Sequence, residues 1–161
     1  MPWSVQRVIQ PDGEDSCTVT EPSYDIVAPV DRFLAHLGAV DRSPGTVRSY
    51  AFDLRDFFTF LEQSQVRWPD VQFEDLGRFA NWLRLAPAER SGQLRRLGGR
   101  RAAHCSATTI NRKLSAVGSF YQFHRQHGAS FEFLPLSGRR GGGSWKPLLA
   151  HPGGSARRAR N

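Results

Sequence analysis

Residues 43–61, SPGTVRSYAFDLRDFFTFL, decide the fold of this 161-residue chain. Ser43 is a favourable N-cap and Pro44 suits the first helical position, so a helix is predicted to begin here. From Thr46 onward no glycine or proline interrupts the stretch. Large apolar side chains then recur at spacings of three and four, which predicts a helix with one buried face: Val47, Tyr50, Leu54, Phe57, Phe58 and Leu61.

A second long helix is predicted for residues 106–128, SATTINRKLSAVGSFYQFHRQHG. Ser106 or Thr108 can cap its start, and Gly128 can end it. Its apolar stripe consists of Ile110, Leu114, Val117, Tyr121 and His124, widened by Phe120. The opposite face carries no acidic residue and is made of Thr108, Arg112, Ser115, Ser119, Gln122 and Gln126.

Two shorter helical patterns lie between the N-terminus and residue 87. The first runs from about Ile26 to Gly38, with Ile26, Val30, Phe33, Leu34 and Leu37 on one face. The other begins near Phe73 and buries Leu76, Phe79, Ala80 and Leu83. Four amphipathic helices with short connections predict an all-α, four-helix bundle. The expected organisation is an irregular arm over residues 1–24, a helical domain over 25–130, and a basic, Gly/Arg-rich linker or tail over 131–161.

Charge is distributed unevenly along the chain. Residues 1–88 carry 8 Lys/Arg and 13 Asp/Glu, whereas residues 89–161 carry 14 Lys/Arg and 2 Asp/Glu. A half that basic favours a polyanionic partner, most commonly nucleic acid. Because no window resembles a signal peptide or a membrane helix and the 2 cysteines form no CxxC pair, we expect a cytoplasmic protein with no membrane partner. When bound to DNA it would be associated with the nucleoid.

The two long helices together resemble the core-binding, SAM-like domain of tyrosine recombinases, the phage integrase family. The first matching set is Ser43, Thr46, Tyr50, Asp53, Leu54, Phe57 and Phe60. The second is Ser106, Thr109, Ile110, Arg112, Leu114, Ser115, Ala116, Phe120 and Tyr121. The resemblance covers about residues 26–147 and implies a SAM-like core-binding bundle, with irregular N- and C-terminal tails, that binds double-stranded DNA. It also implies a setting of DNA integration and recombination by a mobile element, in which recombinase protomers pair on DNA.

The resemblance and the charges together define a set of expected DNA contacts. Helix N-termini with short polar side chains suit phosphate, and Asn111 and Arg112 can pair with adenine or guanine edges. No acidic residue lies between Glu89 and Glu132, so we expect Arg112 and Lys113 to face an external anion. The alternative is that Ser106, Thr108 and Thr109 only cap a solvated helix. The full set is Ser43, Thr46, Arg48, Arg95, Arg96, Arg100, Arg101, Ser106, Thr108, Thr109, Asn111, Arg112, Lys113, Ser115 and Lys146.

Catalytic machinery of the resembling family is not expected in this chain. That family uses a late tyrosine, two arginines, a lysine and a His-x-x-Arg motif, whereas none of the 5 histidines here precedes such an arginine. We therefore predict a recombinase truncated before its catalytic domain, with no enzymatic activity, cofactor, metal or small-molecule substrate. Two alternatives stay open: a stand-alone DNA-binding regulator of a mobile element, and a helical protein-interaction module.

Overall fold

The computed structural model of the chain describes residues 2–85, 90 and 105–131. Two strands come first, β1 (Ser4–Ile9) and β2 (Asp15–Thr20). They are followed by α1 (Ala28–Ala39), α2 (Pro44–Ser64), a short 3-10 turn (Trp68–Asp70), α3 (Phe73–Arg84) and α4 (Ala107–Gln126). The predicted C-terminal tail, residues 132–161, lies outside the described residues.

The two long helices begin and end where local chemistry predicts. Ser43 caps α2 by accepting a hydrogen bond from the Thr46 backbone N–H at 3.2 Å, and Pro44 occupies the first helical position. The helix ends at Gln65, whose φ of 54° is left-handed and cannot continue an α-helix. Gly128, with φ of 97°, turns the chain just after α4. Propensity and caps therefore account for both boundaries.

The predicted apolar stripes form one core at the centre of the bundle. Phe57 of α2 and Leu114 of α4 are both buried, and edge-to-face aromatic contacts join the helices around them. Ile26 is an exception, because it is 56% exposed and precedes α1 rather than belonging to it. It pairs instead with Thr20 in an isolated β-bridge, which holds the chain extended beside β2.

The sequence analysis expected an irregular N-terminal arm, but this part of the chain forms an antiparallel β-hairpin. Ser4 pairs with Thr20, and Ile9 pairs with Asp15. Gly13, at φ 85°, makes the turn between them in a Pro-Asp-Gly sequence, a combination that favours turns. The part of the chain that the structure describes therefore contains the four helices α1–α4 and a small two-stranded sheet, and the all-α prediction is wrong because of that sheet.

The hairpin packs onto the helical bundle rather than standing apart from it. Trp3 donates from Nε1 to the Glu62 carboxylate at 2.6 Å, and its ring lies 5.6 Å from that of Phe58. Thr18 donates to Asp31 of α1 at 2.8 Å, and the Val19 side chain is fully buried. The hairpin thus covers one side of the α1–α2 pair and contributes to the same core.

The contacts between α2 and α4 show the relative direction of the two helices. Asp53 lies opposite Arg112, whereas four residues further along α2 the Phe57 ring lies 6.0 Å from that of Tyr121. The contacts advance along both helices together, so α2 and α4 run in the same sense. Their N-termini consequently lie at the same end of the bundle.

Within the described ranges, no helix has the length and apolar character needed to cross a membrane.

Candidate nucleic-acid interface

The N-termini of α2 and α4 have the same capping arrangement. In each, a serine side chain accepts from the backbone N–H three residues later at 3.2 Å, from Thr46 to Ser43 and from Thr109 to Ser106. The paired serine and threonine hydroxyls also bond to each other, at 2.8 Å in α2 and 3.0 Å in α4. Neither first turn carries an acidic side chain. Two positive helix ends with short, exposed polar groups therefore lie at one end of the bundle.

Exposed side chains continue this surface along both helices. On α4, Thr108, Arg112 and Ser115 are exposed and follow one another at spacings of four and three, which places them on one face. On α2, Arg48 is exposed and its guanidinium lies 5.6 Å from the centre of the Phe52 ring. This surface, which the sequence analysis expects to contact DNA, is called the DNA face; it consists of Ser43, Thr46, Arg48, Ser106, Thr108, Thr109, Arg112 and Ser115.

Lys113 does not belong to the DNA face, which corrects the sequence-based expectation. Its side chain is only 9% exposed, and Nζ lies 2.9 Å from Asp53 Oδ1 and 2.8 Å from Asp56 Oδ2. The expectation was wrong because it considered only carboxylates close to Lys113 in the sequence. The carboxylates that pair with Lys113 belong to α2. A lysine held between two carboxylates beneath the surface has no spare charge to offer a phosphate.

Arg112 is also paired, but it remains accessible. Its Nη2 donates to Asp53 Oδ1 at 2.9 Å, and its side chain is still 55% exposed. Asp53 therefore accepts from both Arg112 and Lys113 through one oxygen atom. Because a guanidinium has five N–H donors, Arg112 can keep this bond and donate to another acceptor at the same time.

The charges between α2 and α4 form a connected ion-pair network of Arg55, Asp56, Lys113, Asp53 and Arg112. Burial by itself would raise the pKa of the Asp56 carboxyl. The Lys113 ammonium and the Arg55 guanidinium outweigh that effect, and together they hold the pKa of Asp56 below its usual value. Three cations and two carboxylates leave the network with one net positive charge.

Asn111 does not adopt the conformation that the sequence analysis expected of a base-reading amide. The residue is half-buried, and its Oδ1 atom is buried without a hydrogen-bond partner among the described residues. Bidentate reading of adenine needs both the amide oxygen and the amide nitrogen at the base edge. In this rotamer the oxygen is turned inward, so the amide does not present both groups to a ligand.

The remaining predicted contacts, Arg95, Arg96, Arg100, Arg101 and Lys146, lie outside the described residues. The ends of the connection that holds the four arginines are described. The Arg90 guanidinium donates to the carbonyl oxygens of Leu83 and Leu85 at 2.6 and 2.9 Å. Cys105 N–H donates to the same Leu83 carbonyl at 3.3 Å. Arg90 and Cys105, the latter one residue before Ser106, therefore both lie at the C-terminal end of α3.

The described residues offer little for metal binding or nucleophilic chemistry. No group of three or more His, Cys, Asp and Glu side chains gathers in residues 2–85, 90 and 105–131. His124 and His127 each use one ring nitrogen on a backbone carbonyl, of Pro29 and Phe123 respectively. The Tyr121 hydroxyl donates to the Trp68 carbonyl at 2.6 Å, and burial, helped by the Asp75 carboxylate, raises its pKa. Tyr121 is a structural residue.

Asp53 and Asp56 are the site residues that sequence reasoning missed as partners of the arginine and lysine. Asp53 falls between Tyr50 and Phe57 at spacings of three and four, on the apolar stripe of α2. A carboxylate on a buried stripe needs a cationic or hydrogen-bonding partner, because burying an unpaired charge is costly. That position was the available signal, and Lys113 on the facing helix is the partner.

Comparisons with known proteins identify relatives of this chain. A family model described as "Phage integrase, N-terminal SAM-like domain" matches residues 30–128. Transposase A from transposon Tn554 of Staphylococcus aureus strain Mu50 / ATCC 700699 is 29% identical over 131 residues, as is the protein of that name from strain N315. The aligned region covers 81% of this chain and 35% of each relative, so the chain spans about a third of the relatives' length. No solved structure gives a significant match.

Proposed function

The chain belongs to the phage integrase N-terminal SAM-like domain family, and on that basis we propose that it binds duplex DNA through the DNA face. In this proposal it is the DNA-binding part of a tyrosine recombinase that acts on a mobile element. The similarity to a protein named as a transposase supports this setting. The β-hairpin, which precedes the matched residues, would serve as a support for α1 and α2.

One observation carries the proposal: two capped, acid-free helix N-termini lie at the same end of the bundle, with Arg48 and Arg112 exposed beside them. Backbone N–H groups at these ends favour phosphate oxygens, while arginine side chains can reach phosphates or base edges. In this view α2 and α4 approach the major groove together. Arg95, Arg96, Arg100, Arg101 and Lys146 would add phosphate contacts, and protomers would pair once bound.

The test is DNA binding by the full 161-residue chain at several salt concentrations, with labelled duplexes and a fluorescence readout. We expect affinity to fall steeply with salt, as it does when a protein displaces counterions from phosphates. The slope of log affinity against log salt is negative, and Arg48→Ala should make it shallower by about 0.9 if one phosphate contact is lost.

Arg67→Ala is the matched control. Arg67 is an exposed arginine that pairs with Asp70 beyond the other end of α2. The 21 residues of that helix separate it from the N-terminal end of α2, where Arg48 lies, by about 30 Å. The control removes the same charge and should leave the salt slope unchanged. If both variants change the slope equally, binding is non-specific attraction to a basic protein. If the chain binds no duplex at low salt, the proposal fails and the protein-interaction alternative replaces it.

A further inference from the structure

We infer that Asp53 is a positioning residue for Arg112, and that the held guanidinium reads one guanine in the major groove and so sets a base preference. This inference rests on the proposed DNA binding. It goes further by separating one residue that reads sequence from neighbours that contact phosphate. It also assigns that role to a pair of residues 59 positions apart.

The first support is that Asp53 is itself immobilised. Its side chain is 4% exposed, and the oxygen that accepts from Arg112 also accepts from the buried Lys113 ammonium at 2.9 Å. Lys113 is fixed in turn by Asp56 at 2.8 Å. A carboxylate anchored in this way can hold a guanidinium in one orientation, because it has no freedom to follow the arginine as it moves.

The second support is that Arg112 keeps N–H donors available for a ligand. Asp53 bonds to Nη2 alone, and no other partner of Arg112 appears in the described part of the chain. Pairs of arginine N–H groups match the O6 and N7 acceptors of guanine, provided that the guanidinium plane is correctly oriented. A phosphate contact is less demanding, since the point charge of a lysine can also serve it.

The third support comes from the neighbours of Arg112 on the α4 surface. Thr108 and Ser115, four residues before it and three after it, are exposed and small. They leave room for a base edge to approach the guanidinium, whereas long side chains at these positions would keep the helix away from the groove floor. Pairing with Asp53 also reduces the net positive charge at Arg112, which favours base reading over simple attraction to phosphate.

The experiment is selection of preferred sites from a randomised duplex library by the full chain, compared among four proteins. These are the wild type, Asp53→Asn, Asp70→Asn and Arg112→Lys. Both aspartate variants remove one negative charge and the carboxylate partner of an arginine, but Asp70 pairs with Arg67 and belongs to no network with Arg112. Arg112→Lys keeps the positive charge and loses the planar fork. Thermal unfolding of each variant reports whether it is folded.

We expect the wild type to select a guanine at one position and Asp70→Asn to keep that preference. In Asp53→Asn and Arg112→Lys, discrimination at this position should fall about tenfold. Affinity for random duplex should not fall in Asp53→Asn, because Arg112 keeps its charge. Equal guanine preference in the wild type and Asp53→Asn would overturn the inference. A wild type that binds duplexes without base preference would overturn it and leave the proposed DNA binding intact, whereas one that binds no duplex would overturn both.

A measurement on the unmodified protein keeps the inference testable if Asp53→Asn does not fold. In the free chain, the Arg112 guanidinium should show hindered rotation about its Nε–Cζ bond by nitrogen-15 NMR. Arg67, which pairs with the exposed Asp70, is the internal reference and should rotate faster. Equally fast rotation of both guanidinium groups would show that Asp53 does not hold Arg112, and the inference would fail.

Discussion

The Lys113 ammonium lies 2.8 Å from Asp56 between α2 and α4, under a surface that is otherwise polar and basic. The two residues are 57 positions apart in the sequence, and only the packing of the helices brings them together. This relationship divides the basic side chains of α4 into two kinds. Lys113 holds the helices together, while its neighbour Arg112 remains exposed.

Lys113→Met should destabilise the fold by about 3 kcal/mol, because removing one member of a buried ion pair leaves carboxylates uncompensated. Arg112→Met is the matched control on the next residue. Its side chain is largely exposed, and losing an exposed ion pair costs at most about 1 kcal/mol. Urea unfolding followed by circular dichroism measures both. Similar losses of unfolding free energy in the two variants would contradict the different roles of Lys113 and Arg112. A shallower salt dependence of DNA binding in Lys113→Met would contradict them too.

Leu114→Ala should cost about 2–5 kcal/mol of folding free energy, since it leaves a cavity in a packed core. Leu114 is only 2% exposed and lies on the α4 face that meets the other helices. Ser115→Ala, one residue further on the exposed face, should change stability by less than about 0.5 kcal/mol. The same unfolding experiment decides. A small loss of folding free energy in Leu114→Ala would mean that Leu114 does not face the core.

Stability should fall as the pH drops below about 6.5, the usual value for a histidine, because of His124. Burial, aided by Arg32 and His127, lowers the pKa of His124, and this outweighs the effect of its hydrogen bond to the Pro29 carbonyl. The unfolded chain then binds a proton in a range where the folded chain does not. The stabilisation is therefore present above the unfolded pKa and is lost as the pH falls towards the folded pKa.

His124→Gln provides the comparison, since the glutamine amide can still donate to Pro29. Unfolding free energies measured between pH 7.5 and 5, a range chosen about the usual histidine pKa, should fall less steeply for this variant. The Asp56 contribution would appear separately at lower pH. Its folded pKa is lowered, so its stabilisation is present above the unfolded pKa and is lost as the pH falls through the folded value. An identical pH slope in wild type and His124→Gln would contradict the assignment.

The 161-residue chain on its own should not relax supercoiled plasmid DNA. Tyr121 is fully buried, and its hydroxyl is committed to the Trp68 carbonyl, so it cannot attack a phosphodiester. Tyr50 is half-buried in contact with Phe33. The assay compares the wild type with a variant in which Tyr24, Tyr50 and Tyr121 are all phenylalanine. Relaxation that disappears in this variant would contradict the prediction, whereas relaxation that persists would indicate a contaminating enzyme.

Sequence patterns of short range predicted most of the helical fold. The positions of Ser43 and Ser106, the recurrence of apolar residues and the stop at Gly128 are local features, and each was found in the structure. The hairpin was not predicted because its strands are short and β1 is mostly exposed. The sequence of these strands therefore shows little apolar alternation. Its Pro11-Asp12-Gly13 turn was the available signal, and it was interpreted as a sign of irregular chain.

The sequence by itself determined the family, the positions of the helices in the described residues, and the basic, acid-free start of α4, because these depend on residue order within a few turns. Only the tertiary structure decided which cations face outward. Lys113 and Arg112 are adjacent in the chain, and a helix turns by about 100° per residue. Lys113 is therefore buried between two carboxylates of α2, whereas Arg112 reaches one of them from the surface and stays exposed. The difference depends on the helix that packs beside them, which no local pattern contains.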